Sequence, residues 1–152
     1  MNRRIVGGSC AVALAALLAV APPSLAREAS KAVLTPVSEL QWGDAGIPGV
    51  QIAPVRGDRA KGPSHFFLKY AAGLATPVHH HSADHYVTVV SGTLSLSAGG
   101  REAKLPPGSY FAFTGKAAHV ARVEGDQDCV MFVDSRGAWD VVAEAKAGAG
   151  AK

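Results

Sequence analysis

The 152 residues are a single-domain length, and the formal charge of +3 is small. No basic run and no interleaving of aromatic with basic residues is present, which argues against nucleic acid as a partner. Two cysteines, Cys10 and Cys129, leave little scope for a disulfide-stapled scaffold.

The first 26 residues do not read as part of a fold. Arg3 and Arg4 form a short basic start, Ile5 to Ala21 is an uncharged run rich in Ala, Leu and Val, and Pro22-Pro23 ends it. Ser24-Leu25-Ala26 then offers small residues where a signal peptidase reads, so a signal peptide cleaved after Ala26 is expected. The apolar run is short for a membrane span, and no stop-transfer charge cluster follows it. Cleavage would take the formal charge from +3 to +1 and would leave Cys129 as the one thiol. Its neighbours Val130-Met131-Phe132-Val133 read as a buried strand.

Residues 27–49 hold the turn formers Pro36, Gly43, Asp44, Gly46, Pro48 and Gly49 and are expected to form an N-terminal arm with one short edge strand. Short apolar stretches then recur: Val50–Arg56, His65–Ala71, Val78–His81, His85–Val90, Thr93–Ser97, Glu102–Leu105, Ser109–Phe113, His119–Val123 and Asp128–Val133. Gly and Pro punctuate them at Gly57-Asp58, Gly62-Pro63, Gly73, Ser91-Gly92, Gly99-Gly100, Pro106-Pro107-Gly108, Gly115 and Gly125-Asp126. Many short strands at this spacing predict an all-β barrel or sandwich over 50–146. Ala98-Gly99-Gly100 predicts a hairpin, because tight hairpin turns need positive φ. Trp139–Lys146 is expected to be a short helix covering the barrel, and 147–152 a fraying tail.

All six histidines lie beyond residue 26, and four are His79, His80, His81 and His85. Alternation along a strand puts His79 and His81 on one face and His80 on the other. A turn at Ser82–Asp84 would return His85 to that face, and His119 lies on a later strand that closure would bring opposite. Neutral imidazole is a ligand for Zn, Fe, Ni and Cu, so three or four converging rings would hold one divalent transition metal. A surface His tract that binds metal loosely is the competing reading.

The spacing of these residues resembles the cupin superfamily. Gly73, five residues, His79-x-His81, three residues, position 85, six residues and Gly92 follow the first cupin motif, with His85 where Glu is usual. Gly108, five residues, Thr114-Gly115-Lys116, two residues and His119 follow the second, with Thr114, Lys116 and Val123 in place of the usual Pro, Gly and Asn. Pro106-Pro107-Gly108 matches the turn that often precedes the strand carrying the last His. The resemblance implies an antiparallel jelly-roll barrel of two sheets with a metal near one mouth, held by His79, His81 and His119. His85 carries over as a position, not as an identity: it ligates in an all-neutral shell, or it swings away and leaves a three-His site, or Asp84 replaces it. An all-neutral shell disfavours Mn²⁺, favours Zn²⁺, Ni²⁺, Cu²⁺ or Fe²⁺, and favours an anionic substrate or bound hydroxide.

Other residues are secondary candidates. Tyr86 and Tyr110 are weak candidates to place a hydroxyl near the metal, core packing being the default. His65, Phe67 and Lys69 share a face; Lys69 would meet an anionic ligand if that face were the inner one, a solvated Lys69 being the default. Trp42 and Trp139 are expected to cover the barrel ends or line a contact between subunits, and a homodimer is expected. The functional reading is an exported protein, periplasmic or extracellular, that uses its metal as an oxygenase, lyase or isomerase on a small molecule. The alternatives are a ligand-binding or sensing cupin with a closed structural Zn site, and a protein with a dead site.

Overall fold

A computed structural model describes residues 32–145. The expected signal peptide, the start of the arm, Lys146 and the tail 147–152 lie outside the described residues. The arm holds one 3₁₀ turn, Val37–Glu39, before the first strand. Eleven strands follow: β1 Gly43–Asp44, β2 Val50–Arg56, β3 Ser64–Tyr70, β4 His79–His80, β5 His85–Ser91, β6 Thr93–Ala98, β7 Arg101–Leu105, β8 Tyr110–Phe113, β9 His119–Glu124, β10 Cys129–Ser135 and β11 Val142–Ala143. They form two antiparallel sheets, in the orders β1-β2-β3-β10-β5-β8 and β11-β4-β9-β6-β7. Among the described residues, no helix is long and apolar enough to cross a membrane.

Period-two patterning explains both the strands and the core. Along β3, Ser64, Phe66 and Leu68 are buried; along β5, His85, Val87 and Val89; along β9, His119, Ala121 and Val123; along β10, Cys129, Met131, Val133 and Ser135. These inward residues meet Leu94 and Leu96 from β6 and Phe113 from β8 between the two sheets. Burying a side chain such as Phe66 or Leu94 contributes about 1.5–3 kcal/mol, so the sandwich needs no covalent staple. Cys129 is a free, fully buried thiol, and burial pushes its pKa up to about 11, which leaves it inert.

The alternation also decides the placement of the β3 side chains, in agreement with the default for Lys69. His65, Phe67 and Lys69 lie on the outer face: His65 Nε2 is 3.5 Å from Asp134 Oδ1, and the Lys69 ammonium lies 4.6 Å from the centre of the Trp42 ring. Lys69 therefore does not meet a ligand inside the barrel, and Trp42 packs outside it.

The helix expected over Trp139–Lys146 is not formed in its described part. Val142 and Ala143 instead pair with His80 and His79, and the Glu144 N–H donates to Val78 O at 2.9 Å. The open edge of β4 offers backbone partners, and β-branched Val141-Val142 favours extended backbone. This C-terminal strap lies against the barrel mouth.

Turn chemistry matches the Gly positions. Gly99 and Gly100, φ +56° and +76°, join β6 to β7 as a two-residue hairpin. Gly92, φ +72°, joins β5 to β6 where the chain passes so close to β10 that a Cβ would sit 2.4 Å from Asp128 O. Lys116 holds φ +60°, so the left-handed conformation is kept where the second motif usually has Gly. Two opposite changes in the urea midpoint are expected. Gly92→Ala should destabilise by about 2–4 kcal/mol, from forbidden φ plus backbone collision. Lys116→Gly should stabilise by about 1 kcal/mol by relieving left-handed strain. Equal midpoints for Gly92→Ala and wild type would show that the β5–β6 turn is not built this way.

Candidate metal centre

Four histidines converge at one end of the core, and both sheets contribute. His79 on β4 stands directly opposite His119 on β9, so their side chains share a face, with ring centroids 4.2 Å apart. His81 follows β4 by one residue, on the same side as His79 by alternation, 5.1 Å from its ring. The Ser82–Asp84 turn then carries the chain to the other sheet, where His85 opens β5 and pairs with Phe113 of β8. Its ring lies 4.6 Å from that of His81 and 6.5 Å from that of His119. All four are at most 5% exposed. His80 points away, its Nδ1 2.6 Å from Glu144 Oε1.

One bonding pattern orients the rings. Nδ1–H of His79 donates to Pro77 O at 2.9 Å, of His85 to Ala83 O at 3.1 Å, and of His119 to Ala117 O at 2.9 Å, each the carbonyl two residues earlier. His81 is the exception. Its Nδ1–H donates to Asp140 O in the strap, and its ring stacks on Trp139 at 4.0 Å and 26°. Asp140 Oδ1 in turn accepts the Ser82 N–H at 2.7 Å, locking the strap to the turn. His119 is clamped by Phe113, stacked at 3.8 Å and 12°. With every Nδ1 carrying the proton, every Nε2 keeps its lone pair, and these face the interior.

Burial favours the neutral form of His81, His85 and His119. Burial is the main cause that lowers the pKa of His81 to about 3 and of His119 to about 4, and it lowers that of His85; charge on neighbouring imidazoles adds to each. The cavity they line is about 30 Å³, enough for one or two waters. None of its lining residues carries a formal charge, and the remaining wall is apolar apart from the Tyr70 phenol and Trp139.

The donor set fits a transition metal. His79, His81 and His119 each offer a ligand atom, all within 4.8 Å of one another. Neutral imidazoles need not lose a proton to ligate. His85 lines the same cavity beside this trio.

The other candidates do not join the cavity. Tyr86 lies on the outer side of β5, its ring 4.9 Å from the Arg136 guanidinium carbon, and Tyr110 is 61% exposed on the edge strand β8. Asp84 turns outward, where its Oδ1 accepts the Gly115 N–H at 3.0 Å. Tyr70 is the tyrosine that does line the cavity. It ends β3 on the same face as Phe66 and Leu68, a parity that would have identified it, and burial pushes its phenol up to about 12. Nothing in the sequence marked the Asp140 carbonyl.

The fold is shared with solved structures of low sequence similarity. KdgF from Halomonas sp. is 23% identical with a TM-score of 0.57, covering 67% of this chain and 93% of its own. The polyketide cyclase RemF from Streptomyces resistomycificus is 18% identical with a TM-score of 0.60, covering 76% and 85%. The DMSP lyase DddQ from Ruegeria pomeroyi is 19% identical with a TM-score of 0.59, covering 73% and 64%. No curated protein matches significantly in sequence. Residues 66–134, which carry all four inward histidines, match the family described as Cupin domain, and this segment is a cupin domain.

Proposed function

We propose that the protein is a metal-dependent enzyme acting on a small, anionic molecule. One observation carries this reading: four buried imidazoles, each held by an Nδ1–H bond to a backbone carbonyl, line one uncharged cavity, and three of them, His79, His81 and His119, bring ligand atoms within 4.8 Å of one another. Nitrogen donors favour Zn²⁺, Ni²⁺, Cu²⁺ or Fe²⁺, and with no carboxylate among them a divalent ion keeps its full charge and attracts an anion. Bound there, such an ion supplies Lewis acidity towards a carbonyl or water oxygen, or O₂ chemistry if it is iron. The protein's own groups do the rest. Trp139 shields His81 from water, and the Tyr70 phenol, protonated at neutral pH, is the hydroxyl placed to donate a hydrogen bond to a ligand oxygen. Fold neighbours described as a cyclase and a lyase support the enzymatic reading by analogy. The signal-peptide pattern of residues 1–26 adds that it works outside the cytoplasm, and short exposed edge strands add that it pairs as a homodimer.

A second reading has its own support. The cavity is small, and His85 lines it beside the trio, so a shift of its ring towards His119 would complete a four-imidazole shell and make a closed structural Zn site. Substitution with Co²⁺ separates the two. A closed tetrahedral site gives an intense visible spectrum unmoved by azide, whereas a site with an open position responds to azide.

Residues 27–152, expressed without a tag and purified without chelator, should hold about one transition metal per chain by elemental analysis, and His79→Ala/His81→Ala should hold none. Absence of metal even after reconstitution with Fe²⁺, Zn²⁺, Ni²⁺ and Cu²⁺ would sink the metal-centred reading. Trp139→Ala should weaken metal binding about 10- to 100-fold in a competition titration, because it frees only the ring that lacks a local carbonyl partner.

Stability should also follow pH with a definite sign. His81 and His119 titrate near 3 and 4 when folded and near 6.5 when unfolded, so between those limits the unfolded chain takes up protons that the folded chain refuses. The metal-free protein should therefore hold a constant urea midpoint above pH 7 and lose stability steadily from about pH 6.5 towards pH 4. A midpoint unchanged from pH 7 to 4.5 would mean that these rings are not held neutral.

A further inference from the structure

A second cavity, of about 190 Å³, adjoins the metal cavity. Leu68, Tyr70 and Trp139 line both, so a single layer of side chains separates them. Its other wall is apolar: Val50 and Ile52 of β2, and Ile47 at the rim, 39% exposed. The C-terminal strap closes it, with the Trp139 N–H donating to Arg59 O at 2.7 Å. Arg59, half-buried in the loop between β2 and β3, also lines it and forms no ion pair among the described residues. Asp140 is the one carboxylate in the wall, and it is committed to the Ser82 N–H.

We propose that this cavity holds the body of a small monocarboxylate, with its carboxylate on Arg59 and its apolar part against Val50, Ile52 and Leu68. A planar guanidinium binds a carboxylate through two parallel hydrogen bonds, and a half-buried one without a protein partner is suited to take one from a ligand. The volume is below the roughly 300–1,000 Å³ of sites for drug-sized ligands, so the occupant has on the order of ten non-hydrogen atoms. The far end of such a molecule abuts Tyr70 and Trp139, the partition behind which the imidazoles lie. This names the substrate class for the proposed metal centre and rests on that reading for the reaction, although binding at Arg59 needs no metal.

The test uses benzoate and hexanoate as probes, with benzyl alcohol as the neutral counterpart, on the purified protein before and after dialysis against chelator. Binding is followed by ligand-observed NMR and by tryptophan fluorescence, since Trp139 lines the cavity. Both carboxylates should bind saturably in both metal states, and benzyl alcohol should not compete. Arg59→Gln should weaken them about 10- to 100-fold, the range for a lost charge-assisted hydrogen bond, and Arg59→Lys by less. Metal content and melting temperature of both variants should match wild type. Carboxylate binding that requires metal and ignores Arg59 would place the anion on the ion and overturn the proposal while leaving the metal centre standing. Equal binding of benzyl alcohol, or none by either carboxylate at about ten millimolar, would also overturn it. Arg59-dependent binding by a protein that never takes up metal would leave this site standing and remove the metal centre.

Discussion

The hydrogen bond from each histidine Nδ1 to a backbone carbonyl is the interaction on which the site depends. It fixes the tautomer, and with the tautomer the direction of the lone pair, before any ligand arrives. Three of these bonds are local, spanning two residues, so β4, β5 and β9 each deliver a pre-oriented ring as soon as the strand forms. The sandwich then has only to bring three strand starts together, which the β4–β9 pairing and the turn into β5 accomplish. The fourth bond is long-range and couples His81 to Asp140, fifty-nine residues away. The barrel thus orients His79, His85 and His119 by itself, while His81 is set by a segment outside the region that matches the family.

That division explains what was legible in the sequence. Period two separated His79 and His81 from His80, and the motif spacing put His85 and His119 with them, because strand parity is a local property. The inner face of β3 was legible in the same way, yet Ser64, Phe66 and Leu68 compete with His65, Phe67 and Lys69 on nearly equal terms. Both sets hold one strong apolar aromatic, and only the registers of β3 with β2 and β10 decide between them. Tyr70 went unnoticed as a consequence. The strap was misread for a related reason: Trp139–Lys146 is rich in helix formers, but its backbone groups find the open edge of β4, and tertiary pairing overrides propensity.

Stability and site chemistry pull against each other at this end of the core. Phe113 and Trp139 pack on imidazoles as they would on any ring, so the core runs without interruption from Leu94 and Met131 to the metal cavity. The histidines contribute apolar contact as neutral rings and lose it when protonated, which ties the integrity of the site to its protonation. A cation held by the folded chain and not by the unfolded one stabilises the fold by mass action, so an ion there would stabilise the protein as well as supply chemistry.

The same apolar packing limits what the metal cavity can admit. At about 30 Å³ it accepts the reacting end of a molecule and not its body. The body needs space elsewhere, and the adjoining cavity behind Leu68, Tyr70 and Trp139 offers it, with Arg59 at its wall. Charge is divided in a way that suits one anionic ligand. The imidazole cavity carries no formal charge until a cation enters, and Arg59 lies outside it, so a bound cation and the guanidinium would flank one anion from two sides. Trp139 lines both cavities and holds His81 by stacking, so a movement of the strap would alter both at once. On the proposed reading, ligand binding on one side of this ring and metal binding on the other are coupled through a single side chain.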